Sequence, residues 1–202
     1  MKWEFTPFDP TEWSKSDSRI LLVGTEPNGN NLRCDKLDMG EWFRSAEKNN
    51  YHSNRRFYNR CKLILDGIVG TEAPTNFNRF RFMDLKATSG GSKSTKSEVA
   101  NYIQANRLEV TNYFISKNER PHITVLLGND AYGLFSELLR DVVREENPEL
   151  QWIQMPHPSA QTVDNDLLRT ACGEINHRLV PINQSAYKWF CKGRSNSGWT
   201  KA

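Results

Sequence analysis

The chain predicts an α/β domain with three layers, α/β/α, around a central, mostly parallel four-stranded sheet. Three observations carry that expectation. Four short strand-like segments, continuous apolar runs at 20–23 and 123–127, an alternation of charged and apolar residues within 78–88, and 150–155, each give way to a loop that is polar or begins with glycine. Segments with apolar residues at helical spacing lie between them. Strands that alternate with helices form parallel βαβ units, whose buried strands read as continuous apolar runs. At 202 residues the chain fits one domain, 1–202, with a core at about 19–180 and a basic, aromatic tail at 181–202.

Each element follows from local sequence. Residues 3–10 contain two prolines among aromatics and are expected to pack on the sheet edge, followed by a short helical turn at 11–17. Ile20-Leu21-Leu22-Val23 is the central strand; it stops at Gly24 and runs into Thr25-Glu26-Pro27-Asn28-Gly29. Helices are expected at 39–46 and 56–68, the second with Phe57, Cys61, Ile64 and Leu65 on one face before Gly67. A second strand, within 78–88, leads into Ser89-Gly90-Gly91-Ser92. One long helix is expected over 98–116, with Val99, Ile103, Leu108, Val110, Tyr113 and Phe114 partly buried. The third strand, 122–128, precedes a helix beginning near Ala131. The fourth, 150–155, ends at Pro156-His157-Pro158-Ser159, and 166–179 forms the closing helix. In the tail, Tyr187-Lys188-Trp189-Phe190-Cys191-Lys192 suits either nucleic-acid contact or packing of Trp189 and Phe190 on the body.

Composition narrows the function classes. A quarter of the residues are charged, and no apolar run approaches the roughly 20 residues of a membrane span. The first residues lack the apolar core of a signal peptide, so a cytoplasmic protein without a membrane partner is expected. The net charge of +3 permits a polyanionic partner without demanding one. Basic residues cluster at Arg55, Arg56 and Arg60, at Arg79, Arg81 and Lys86, and at Lys93 and Lys96; a solvated face is the ordinary meaning of such clusters. Cys34, Cys61, Cys172 and Cys191 form no CxxC pair, so reduced thiols and no metal site are expected.

Chemistry is expected at the strand ends. In open α/β sheets ligands bind beyond the carboxyl ends of the strands, where Glu26 stands, held in one direction by Pro27. An ordinary surface turn with a solvated glutamate is the other reading of that stretch. Asp84 with Lys86, and His157 between two prolines, occupy the ends of two further strands. His52, His122 and His177 lie outside any motif and read as structural.

Gly24-Thr25-Glu26-Pro27, Phe82-Met83-Asp84-Leu85, Val125-Leu126-Leu127-Gly128-Asn129-Asp130-Ala131 and His157-Pro158-Ser159 together resemble the uracil-DNA glycosylase superfamily in content and order. The similarity runs over about 19–179 and looks like that of a divergent member near the mismatch-specific and single-strand-selective branches. It implies a fold that flips one base out of DNA and cuts its N-glycosidic bond with no metal or organic cofactor. The third position of the family's first loop, an Asp or Asn acting on the attacking water, corresponds to Glu26. A carboxylate there can stabilise an oxocarbenium-like sugar and take a proton from water. His157 falls where the family's histidine donates to the oxygen of the leaving base.

The departures from the family pattern bear on the substrate. Much of the family has Asn where this chain has Asp84. An ionised Asp accepts only; it would repel the uracil oxygen and suit the exocyclic amino group of cytosine, with a proton shared at the ring nitrogen. The other reading pairs Asp84 with Arg81, Lys86 or a backbone amide. Asn28 replaces the bulky Tyr of the classical uracil enzymes, so a 5-substituted base could enter beside Thr25 and Asn28. Trp42, Phe43 and Tyr51 are candidates for the ring that stacks on the flipped base. Ser159 and Gln161 fall in the loop that relatives place in the minor groove, and Lys86, Arg79, Ser89 and Lys93 are candidates for phosphate contact.

These residues lead us to expect a monomeric, monofunctional DNA glycosylase acting on double- or single-stranded DNA. The expected target is a modified cytosine, such as the hydroxymethylated or glucosylated bases of phage DNA, which would make the activity anti-phage defence. Uracil or damaged-pyrimidine repair is the alternative, with Asp84 protonated. A non-catalytic reader of modified DNA and a hydrolase of free nucleosides or nucleotides are the other classes; tight binding without base release, or turnover on mononucleotides, would identify them.

Overall fold

A computed structural model describes residues 4–5, 13, 19–26, 60, 80–87, 94–117, 120–158 and 165–179. Its strands are β1 (Glu4–Phe5), β2 (Ile20–Gly24), β3 (Phe80–Asp84), β4 (Ile123–Leu127) and β5 (Gln151–Met155). They form one sheet in the order β1-β3-β2-β4-β5, in which β3, β2, β4 and β5 are parallel and β1 pairs antiparallel with β3. The edge strand β1 is an addition to the expected four. Two prolines disguise it, and a strand of two residues leaves little pattern to read.

The helices are α1 (Lys96–Ala105), α2 (Arg107–Ile115), α3 (Asn129–Leu138), α4 (Arg140–Glu146) and α5 (Asn165–Leu179). The long helix expected over 98–116 is in fact two, broken at Asn106, whose backbone N–H and side-chain amide both return to the Tyr102 carbonyl. The break turns Leu108 outward, 74 % exposed, correcting its expected burial. A capping box starts α1: Thr95 accepts from the Glu98 N–H, and the Glu98 carboxylate accepts from the Thr95 N–H at 2.7 Å. That backbone donor, with the Thr95 side chain, holds the Glu98 carboxyl below the usual carboxylate range. The expected helices at 39–46 and 56–68 and the tail lie outside the described residues, apart from Arg60, which is helical.

Both faces of the sheet are buried. Side chains alternate along a strand, so Leu21, Val23, Met83 and Leu126 point to one face. There they join Val99, Ile103, Val110, Phe114, Leu134, Phe135, Leu139 and Val143 from α1 to α4 in one core. Within it Phe135 lies against Phe114 and Trp152, with ring centroids 5.3 and 5.6 Å apart. Parallel crossovers are right-handed, and the two that run from β3 to β4 and from β4 to β5 advance in the same direction, which puts α1 to α4 on a single face. On the opposite face Ile20, Leu22, Phe82, Val125 and Ile153 are equally buried, and α5, packed on β5, buries Leu168 and Cys172 outside the first core. Burial pushes the Cys172 thiol up to about 12, which leaves it an unreactive packing group.

This order reverses direction at β2. The chain passes from β2 to β3 on one side and returns to β4 on the other, so the crevice beyond β2 and β4 is a topological switch point. All four parallel strands end at that edge of the sheet. No helix among the described residues is long and apolar enough to cross a membrane.

Candidate functional site

Pairing between β2 and β3 continues past the strands. Gly24 stands opposite Asp84 in the ladder, and beyond it Leu85 N–H donates to Gly24 O and Lys86 N–H to Thr25 O, each at 3.0 Å. Residues 24–26 and 84–86 therefore run side by side. Leu85 and Ala87 point into the core, leaving the side chains of Asp84 and Lys86 on the other side of the chain with Glu26.

Glu26 is anchored from two directions. Its Oε1 accepts from the Ser94 N–H at 2.5 Å, and its Oε2 lies 3.5 Å from Lys86 Nζ. The Lys86 ammonium also donates to Ser94 Oγ at 2.5 Å. Ser94 immediately precedes the Thr95 cap, so the first turn of α1 fixes the direction of the Ser94 amide and brings the positive helix end toward the carboxylate. The extra methylene of Glu over Asp is what spans from the β2 loop to Ser94. The Glu26 side chain is 6 % exposed, and Oε2 is a buried oxygen with no hydrogen-bond partner among the described residues. The solvated surface glutamate is thereby excluded.

Asp84 has different surroundings. Among the described residues no hydrogen bond or ion pair engages its carboxyl, which lies across the bare Cα of Gly24. Arg81, one candidate partner, instead stacks over Trp13 at 5.1 Å, and Lys86, the other, is directed to Glu26. Burial first, and the neighbouring Glu26 carboxylate second, push the Asp84 carboxyl up from 3.8 to about 7. Near neutral pH it is divided between acid and anion, so it can donate as well as accept.

His157 reaches the same edge on the loop after β5. Its Cβ packs near Gly128, the residue after β4, whose N–H donates to Met155 O at 2.7 Å. Gly128 takes φ 88° and ψ 168°, a region essentially reserved for glycine, and a Cβ built there would meet His157 Cβ at 3.3 Å. Arg60 secures the far side of this loop by donating to Pro158 O at 2.9 Å. His122 is structural: its Nδ1 accepts from the Arg19 N–H at 3.1 Å beneath the opposite end of β4.

Glu26, Asp84 and Lys86 thus share one cluster, with His157 on the same edge. Lys86 has a use other than the expected phosphate contact, since its ammonium is committed to Glu26 and Ser94. Thr25 contributes a backbone carbonyl to the ladder. Asn28, Trp42, Phe43, Tyr51, Arg79, Ser89, Lys93, Ser159 and Gln161 lie outside the described residues. Ser94 and Arg60 are the positioning residues that sequence reasoning missed. The capping box Thr95-x-x-Glu98 could have pointed to Ser94, because it marks a helix start just after the Ser/Gly-rich loop. Among the described residues no group of three or more His, Cys, Asp or Glu is placed to hold a metal ion.

The arrangement suits hydrolysis: a buried carboxylate oxygen with a cation beside it, a second carboxyl able to carry a proton, and an imidazole on the loop after β5 at the same edge of the sheet. No protein-family model matches the chain, and no curated protein matches it.

Proposed function

We propose that the protein is a DNA glycosylase with a uracil-DNA glycosylase-like version of the α/β fold, which hydrolyses the N-glycosidic bond of a modified cytosine and leaves an abasic site. The observation that carries this reading is Glu26. Its Oε1 is pinned by an amide, Lys86 stands beside it, and Oε2 is buried beyond the carboxyl end of β2 with no hydrogen-bond partner among the described residues. An oxygen so placed can accept a proton from water and stabilise positive charge growing on a sugar. His157, on the loop after β5 at the same edge of the sheet, donates to the oxygen of the departing base, and Asp84 meets the edge of the base. An unmodified cytosine is excluded as target because its removal would destroy the host's own DNA, so the reading extends to defence against phages with hydroxymethylated or glucosylated DNA.

A second reading has one observation in its favour. With Asp84 raised to about 7, its acid form can donate to a uracil oxygen while its carbonyl accepts from the ring N–H, so uracil or damaged-pyrimidine repair stays chemically available. The discriminating experiment is base release from duplex and single-stranded DNAs containing uracil, cytosine, 5-hydroxymethylcytosine or its glucosylated form. The first reading predicts abasic sites only from the modified cytosines. Preferred release of uracil would transfer the protein to repair, and binding without release from any substrate would make it a reader.

A further inference from the structure

The two carboxyl groups at the head of the sheet are neighbours with opposite equipment. Glu26 has what an anion requires, an amide donor from Ser94 and the Lys86 ammonium. Asp84 has neither among the described residues; it lies over Gly24 with the Glu26 charge nearby. The other charged groups at this edge do not relieve it. Lys86 is held by Glu26 and Ser94, Arg81 of its own strand stacks on Trp13, and Arg60 reaches the Pro158 carbonyl. The loop after β5 brings His157; Gly128 follows β4, and Asp130 beyond it is exposed.

We propose that Asp84 and Glu26 work as an acid and base pair in one turnover, Asp84 giving its proton to the ring nitrogen of the departing base while Glu26 takes one from the attacking water. This deepens the glycosylase reading and rests on it. A buried carboxyl whose proton is held more tightly, set beside a second carboxyl with donors of its own, fits such a division of roles; burial and the nearby Glu26 raise Asp84 to about 7. In the step, the C1′–N1 bond breaks and its electron pair passes into the ring. The Asp84 O–H proton moves to N3, so the base leaves neutral. The water oxygen bonds to C1′ and its proton passes to Glu26. One water is consumed, and the enzyme ends with its proton on Glu26 instead of Asp84; return of that proton across the pair or through solvent resets it.

The step defines a substrate class. Cytosine and its 5-substituted forms have a lone pair at N3 beside the amino group, so the Asp84 acid can donate to N3 while its other oxygen accepts from the amino group. Uracil and thymine have hydrogen at N3 and cannot take the proton there.

Asp84→Asn tests the proposal, because the amide retains one donor and one acceptor for the same edge but has no proton to give. Single-turnover release from duplexes containing 5-hydroxymethylcytosine and its glucosylated form is measured from pH 5.5 to 8.5, with binding to the same duplexes alongside. Wild-type rates should fall as pH rises through about 7. The variant should bind within a few-fold, cleave about 10²–10⁴-fold more slowly and lose that limb. Wild-type rates in Asp84→Asn would overturn the proposal, as would a limb that persists in the variant, which would belong to His157. The wild-type profile needs no variant, and a flat one would also overturn it. Failure of the wild type to release any base from the whole panel would instead remove the glycosylase reading, and this inference with it.

Discussion

The Asp84 carboxyl occupies the space a side chain on Gly24 would need: a Cβ built on Gly24 would collide with Asp84 Oδ1. The two residues are partners in the parallel ladder, so the glycine that ends β2 is also the floor on which the carboxyl rests. Gly24→Ala should therefore displace Asp84. A shift of about 1 Å in a reacting group costs about 10²-fold in rate, and that loss is expected in single-turnover base release. The displaced carboxyl gains water, so the pH dependence of stability described next should weaken in the same variant.

Folding raises the affinity of Asp84 for a proton, from 3.8 to about 7. Between those values the folded protein binds more protons than the unfolded chain. This group's contribution to stability is therefore fully present below about pH 4 and is lost as pH rises through 7. The shift corresponds to about 4 kcal/mol in all. Asp84→Asn removes it. The variant should gain on the wild type by about 2–3 kcal/mol between pH 5 and pH 8 in urea unfolding. Parallel curves for the two proteins would show that the Asp84 carboxyl is solvated in the fold.

Lys86→Met leaves a carboxylate that is 6 % exposed without its cation. Removing one partner of a buried pair costs about 3–5 kcal/mol, while replacing both is often close to neutral. Loss of stability on that scale is expected for Lys86→Met, with much of it restored in Lys86→Met combined with Glu26→Gln. A double-mutant cycle by denaturant unfolding reads the coupling directly. Additive effects of the two changes would mean that the pair is exposed and weak.

Gly128→Ala places a side chain at φ 88°, ψ 168° and presses on His157 Cβ. Backbone strain of this kind costs about 1–3 kcal/mol. Both stability and the rate of base release should fall, because the β4 and β5 loops are tied through Gly128 N–H and Met155 O. Unchanged stability would place the strain elsewhere.

Two of the four parallel strands, Ile20–Gly24 and Ile123–Leu127, are legible as unbroken apolar runs and are buried along their whole length, whereas Phe80–Asp84 and Gln151–Met155 mix polar with apolar residues and are legible as short strand-like segments bounded by loops. β1 is not, since its two residues form a strand only because β3 offers a free edge. The split between α1 and α2 is hidden because Asn106 ends one helix by hydrogen bonds back to Tyr102 without interrupting the apolar spacing on either side. Glu26 could be found from its place after an apolar run, but its partners could not. Ser94 meets it across 68 residues of sequence, and Lys86 reads as one more surface cation until the ladder sets it beside Glu26. Asp84 shows the same limit: its identity suggested a base edge, whereas its protonation depends on burial and on a neighbour from another strand.

Whether Glu26 activates water at this edge of the sheet is read from single-turnover base release by wild type and Glu26→Gln. The substrate is duplex DNA containing 5-hydroxymethylcytosine or its glucosylated form, and both proteins are first matched for folding and DNA binding. Abasic sites from the wild type and a loss of at least about 10²-fold in Glu26→Gln, with DNA binding retained, are expected if Glu26 has this role. Equal rates in the two proteins would contradict it.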